Sequence, residues 1–106
     1  MKKQTNNLDN NNKQNSFLTT LGLAKRAGKL IVGWDRISDY KESIEIIFTS
    51  SDASERTIKN ASFKAETIST KYTMEEIGSS LGIKRAAVVA VADNGFANLL
   101  KSNLNE

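Results

Sequence analysis

Apolar residues in the segment 16–28 recur every three to four positions: Phe17, Leu18, Leu21, Ala24 and Ala27 fall on one stripe, and Gly28 supplies a stop. That spacing predicts a helix. Lys29 to Val32 then reads as a short apolar strand ended by Gly33, and Trp34 to Glu42 as a second, short helix. Ile44 to Thr49, IEIIFT, is the most strand-like stretch of the chain. A third helix is expected from Ser51-Asp52, where Asp52 and Glu55 have capping-box spacing, to about Ala65. Thr67 to Thr70 is a short β candidate. Thr73 with Glu76 forms a second capping box, opening a helix that carries Ile77 and Leu81 and that Gly82 ends. Ala86 to Ala92, AAVVAVA, is an uninterrupted run of small apolar residues, the composition of a central strand covered on both faces. Asp93-Asn94-Gly95 turns the chain into a last helix with Phe96, Leu99, Leu100 and Leu104.

Helices and strands thus alternate from end to end. The alternation predicts an α/β sandwich with helices on both faces of one sheet. At 106 residues the chain is sized for a single core. Residues 1–15, dominated by Asn and Gln, have almost no apolar surface to bury and are expected to be a disordered tail ahead of one domain, 16–106.

Composition removes several chemistries. The chain has no cysteine and no histidine, so it lacks a thiolate, the commonest zinc ligand and the commonest general base. No metal or cofactor is expected. There is no long apolar run for a membrane span and no apolar core of a secretory signal, so a soluble cytoplasmic protein is expected. The formal charge of +3 shrinks when apportioned: Lys2, Lys3 and Lys13 against Asp9 place +2 in the tail and leave +1 for the rest. Any nucleic-acid site must therefore be a local patch.

Two motif matches fail on context. LGLAKRAGKLIVG at 21–33 suggests a phosphate loop, but five residues separate Gly22 from Gly28 where four are needed, and Lys29 is followed by Leu30, which has no hydroxyl for a metal. Gly78-Ser79-Ser80-Leu81-Gly82 has the G-x-S-x-G string of hydrolases, yet it lies in a helix pattern and no histidine exists to activate the serine. The acids Asp52, Glu55, Glu75, Glu76 and Asp93 read as helix caps and first-turn charges. Catalysis is not expected.

Two segments suit binding instead. In Gly33-Trp34-Asp35-Arg36 a glycine between strand and helix lets backbone approach a partner, and Trp34 has two readings: stacked on an unpaired base, or packed over the helix start. The turn Gly82-Ile83-Lys84-Arg85-Ala86 sets two cations ahead of the central strand. If the first and last strands share a sheet, these loops meet at one end, with Lys25, Arg26 and Lys29 as further cations nearby.

Four ordered segments carry a resemblance: LGLAKRAGKLIVG at 21–33, DASERTIKN at 52–60, EEIGSSLG at 75–82 and AAVVAVADNGFANLL at 86–100. Over nearly everything after the tail, the chain resembles the bacterial YlxQ-like branch of the L-seven-Ae superfamily of ribosomal proteins that bind kink-turn RNA. The resemblance implies a three-layer α/β/α sandwich around a mixed four-stranded sheet, binding rather than catalysis, and recognition of a sharply bent RNA stem with tandem sheared G·A pairs. Family contacts come from the start of the second helix and the loop before the last strand. By that match Gly33 is the glycine before helix two, and Asp35 and Arg36 stand where the superfamily usually has Asn-Glu. Trp34 replaces a commonly acidic residue. Asp39 occupies the position of a phosphate-binding lysine, and a short connection to the second strand implies a truncated helix and a displaced Lys41. Ile83, Lys84, Arg85 and Ala86 match the loop.

The leading expectation is a monomeric, non-enzymatic protein that binds structured RNA, kink-turn or ribosomal, in association with the ribosome or translation machinery. Its site would comprise Gly33, Trp34, Asp35, Arg36, Ile83, Lys84, Arg85 and Ala86, with Lys29 as a phosphate contact. The runner-up is a protein-interaction module on the same fold, with Trp34 and Tyr40 as its patch.

Overall fold

The computed structural model describes residues 16–105; the Asn-rich stretch 1–15 lies outside them. Within that span the chain forms α1 (16–26), β1 (Leu30–Val32), α2 (Trp34–Asp39), β2 (Ile46–Thr49), α3 (Glu55–Lys64), β3 (Thr67–Ser69), α4 (Met74–Ser80), β4 (Val88–Val91) and α5 (Asn94–Leu104). The four strands make one mixed sheet in the order β1-β4-β2-β3. β4 runs antiparallel to both neighbours, with Val32 opposite Val89 on one side and Thr49 opposite Val88 on the other. β2 and β3 are parallel, a pairing that requires a crossover, and α3 supplies it.

Side-chain alternation along the strands divides the core in two. Ile46, Phe48, Val89 and Val91 point to one face, where Phe17 and Leu21 of α1, Ile77 of α4 and Leu100 of α5 close over them. There Phe17 meets the edge of Phe48 at 5.1 Å and stacks on Tyr72 at 5.4 Å. Ile47, Val88 and Ala90 point to the other face and are covered by Ile37 of α2 and Ala61 of α3. The result is the three-layer α/β/α sandwich. β2 and β4, buried along their whole length, are the two internal strands, which is why they read as unbroken apolar runs.

Helix ends follow local chemistry. α4 opens with the complete capping box, Thr73 accepting from the Glu76 amide and Glu76 from the Thr73 amide. It closes with the paired bonds Gly82 N–H to Ser79 O and Ile83 N–H to Gly78 O, and α1 closes the same way at Gly28. Asp93 caps α5 through the Phe96 amide, 2.8 Å, so α5 begins directly at Asn94.

One expected cap is different. The N-cap of α3 is Ser54, which accepts from the Thr57 amide at 3.1 Å, and no Asp52–Glu55 box forms. Asp52 Oδ1 instead accepts from the Met74 amide at 3.0 Å, the first residue of α4. Its carboxylate therefore serves a helix start 22 residues away, which explains why local spacing misassigned it. The other acids singled out in the sequence stay at helix starts: Glu55 in the first turn of α3, Glu75 and Glu76 in that of α4.

Candidate nucleic-acid interface

Because β4 is antiparallel to β1 and β2, the ends of β1 and β2 lie beside the start of β4. The Gly33 amide donates to Val88 O at 3.1 Å, and the Ser50 amide to Ala87 O at 2.9 Å. These bonds bring Gly33 and the turn 83–86 to the same end of the sheet. Gly33 is the N-cap of α2 with φ 92° and ψ 146°, a conformation that belongs to glycine, and Trp34 to Arg36 follow at once in the six-residue helix. Val32, Gly33, Trp34, Asp35 and Arg36 line a shallow depression there.

On the other side of this end, Ile83, Lys84 and Arg85 are exposed, Ile83 at 40%. Ala86 differs: its side chain is buried and its amide donates to Met74 O at 2.9 Å. The backbone of Lys84 and Arg85 crosses directly above Gly78 of α4, where a Cβ would lie 2.5 Å from Arg85 N and 2.8 Å from Lys84 C. This close approach, together with the stop at Gly82, accounts for both glycines of the hydrolase-like string without any nucleophile.

Arg36, Lys84 and Arg85 make no ion pair; among the described residues the pair formed is Lys101–Glu66 at 3.6 Å. Three cations are thus left for an anionic partner. Lys29 is not brought to them. Its carbonyl accepts from the Ala92 amide at 3.1 Å, beside the end of β4 rather than its start, and three strand residues at about 3.3 Å each separate it from Gly33. Lys25 is also committed elsewhere, donating to Leu81 O at 2.7 Å across the end of α4. Arg26 lines a separate cleft between α1 and α4 with Gly22, Glu76 and Ser80.

α2 ends at Asp39, which is exposed, and Tyr40 is already extended, so Lys41 lies beyond the helix as the short connection implied. Trp34 is half-buried: it packs against the cluster of Ile37, Ile47 and Ala61, over the helix start, and its remaining surface lines the depression. The aromatic residue that shares a second cavity with Trp34 is Phe63 of α3, not Tyr40. The sequence held one signal for Phe63, which stands two positions from the buried Ala61 and so off the apolar stripe of its helix.

Among the described residues no group of His, Cys, Asp or Glu is placed to hold a metal, and no helix is long and apolar enough to cross a membrane.

No family model matches the chain. It is, however, 36% identical over 91 residues to "RNA-binding protein YlxQ" of Bacillus subtilis (strain 168), covering 80% of this chain and 91% of that one. The chain belongs to the YlxQ family. A second YlxQ, from Enterococcus faecium and also called an RNA-binding protein, is 35% identical over 98 residues, covering 87% of this chain and 94% of its own. A protein of unknown function from Bacillus halodurans C has the same fold, with a TM-score of 0.70 and 25% identity over 85% of this chain and 97% of that one.

Proposed function

We propose that this YlxQ-family protein is a non-enzymatic binder of structured, kink-turn-like RNA that works with the ribosome or translation machinery in the cytoplasm. The surface would be composite: Gly33 to Arg36 on one side, Ile83 to Arg85 and the Ala86 backbone on the other. The observation that carries this reading is the Gly33–Val88 hydrogen bond, which holds the two segments at one sheet end. Two relatives named as RNA-binding proteins support it. So do three unpaired cations flanking a backbone that a glycine leaves open, since bent RNA is recognised through phosphates and splayed bases.

The competing reading, a protein-interaction module, draws on Asp39, an exposed anion within one turn of Arg36. A titration separates the two. The full chain is added to a labelled kink-turn RNA and to the same RNA with its tandem G·A pairs replaced, at one near-physiological salt concentration. Preference for the intact motif is expected. Equal or absent binding would overturn the kink-turn reading and turn the search to proteins of the translation machinery.

A further inference from the structure

We infer that the cavity between α2 and α3 is a receptor for one unpaired nucleobase flanking the structured RNA, an inference that rests on the RNA reading above. Trp34, Ser38, Asn60, Phe63 and Lys64 line it, and it is a shallow hollow of about 320 Å³, open to solvent.

Phe63 and Asn60 do little for the fold, whereas Trp34 and Lys64 serve the fold and the cavity together. Phe63 is 80% exposed, so the core gains almost nothing from it. Trp34 presents to the cavity what it does not bury against Ile37, Ile47 and Ala61. The two rings share the cavity without packing on each other; the ring pairs among the described residues are those of Phe17 with Phe48 and Tyr72. A flat ring can therefore lie against either. Asn60, half-buried at the same cavity, has a carboxamide with no hydrogen-bond partner among the described residues, and a carboxamide offers the donor and acceptor that pair with a base edge. Lys64 Nζ is anchored by the Ser38 and Tyr40 carbonyls, 3.2 Å each, which leaves one of its three N–H donors for a phosphate or base oxygen.

Continuity points to RNA as the occupant. Trp34 lines both this cavity and the depression formed with Gly33, Asp35 and Arg36, so a nucleotide leaving RNA held at that depression passes directly over the indole. Single-stranded bases are recognised by this combination of aromatic faces and edge-directed amides.

The test uses the full chain and three kink-turn RNAs: the bare stem, the stem with a short single-stranded adenosine extension, and the stem with an abasic extension. The adenosine extension is expected to tighten binding about tenfold, the scale of one base–aromatic stack, and the abasic one to leave it within twofold of the bare stem. F63A and N60A should each abolish most of that gain while binding the bare stem like wild type. A gain that survives both substitutions, or that the abasic extension reproduces, would overturn the inference while leaving the RNA reading intact. So would sedimentation showing a dimer that F63A dissolves, which would assign the cavity to a second copy. No binding of any of these RNAs by wild type would overturn both.

Discussion

Gly78 lies beneath Arg85, so close that any side chain on Gly78 would collide with the backbone of the turn above it. The same glycine's carbonyl accepts from the Ile83 amide at 2.9 Å, fastening the start of that turn. Gly78→Ala must therefore move Lys84 and Arg85 outward. We expect a loss of about 1–3 kcal/mol in urea unfolding, the usual cost of overpacking, and weaker RNA binding in the fraction that folds. Ser79→Ala, one residue on and exposed, should change neither. Wild-type stability and affinity in Gly78→Ala would mean that the turn is free to yield.

Gly33→Ala tests backbone conformation without a collision, because a Cβ at Gly33 would meet nothing within 4 Å. The cost comes from φ 92° and ψ 146°, and is expected to be about 1–3 kcal/mol. The chain can escape by rotating Gly33, but that breaks its bond to Val88 and separates the two halves of the proposed binding surface. Thermal unfolding and RNA titration should therefore deteriorate together. A variant that is destabilised yet binds normally would show that the Gly33 amide geometry is dispensable.

How much of this was legible in the sequence follows from the range of each interaction. The Thr73–Glu76 box, the Gly28 and Gly82 stops and the strand within AAVVAVA are set by residues within a few positions of one another; the box and stops are found where the pattern put them, and the strand occupies Val88–Val91 of the expected Ala86–Ala92. The Asp52 misassignment, the separation of Lys29 from Gly33 and the partnership of Trp34 with Phe63 all depend on strand order and helix packing, which local spacing does not encode. The loops around Gly33 and Arg85 could be paired only on the condition that β1 and β4 share a sheet, and they do, antiparallel.

Asp52 gives that long-range cap a pH signature. The neighbouring Ser50 hydroxyl and the Met74 amide hold its carboxyl below the ordinary value of 3.8; of the two, the Met74 amide makes the well-formed hydrogen bond, while the buried Ser50 Oγ has no partner of full geometry. Because the folded value is the lower one, the stabilisation is complete above pH 3.8 and is lost as pH falls through the folded value. Denaturant midpoints of wild type and Asp52→Ala should therefore differ by a constant amount near neutrality and converge in acid. A difference that persists unchanged at pH 2 would show that the carboxylate charge plays no part.

The cations make the sharpest distinction, since Arg36, Lys84 and Arg85 share one end of the sheet and Lys29 does not. If the proposed surface holds RNA, Arg36→Glu with Lys84→Glu should lower RNA affinity at least tenfold, because each reversal sets a negative charge against phosphate where a cation stood. Lys29→Glu changes the net charge in the same direction but sits beside Ala92 at the far end of β1, so affinity should stay within about twofold of wild type. If Arg36, Lys84 and Arg85 each neutralise one phosphate, the plot of log affinity against log salt should have a slope of about −2 to −3, falling by about one for each cation removed. Equal losses from Lys29→Glu and from the double reversal would mean that bulk charge, not the composite surface, draws the RNA. Only a position-dependent loss with a matching drop in slope identifies the contacts.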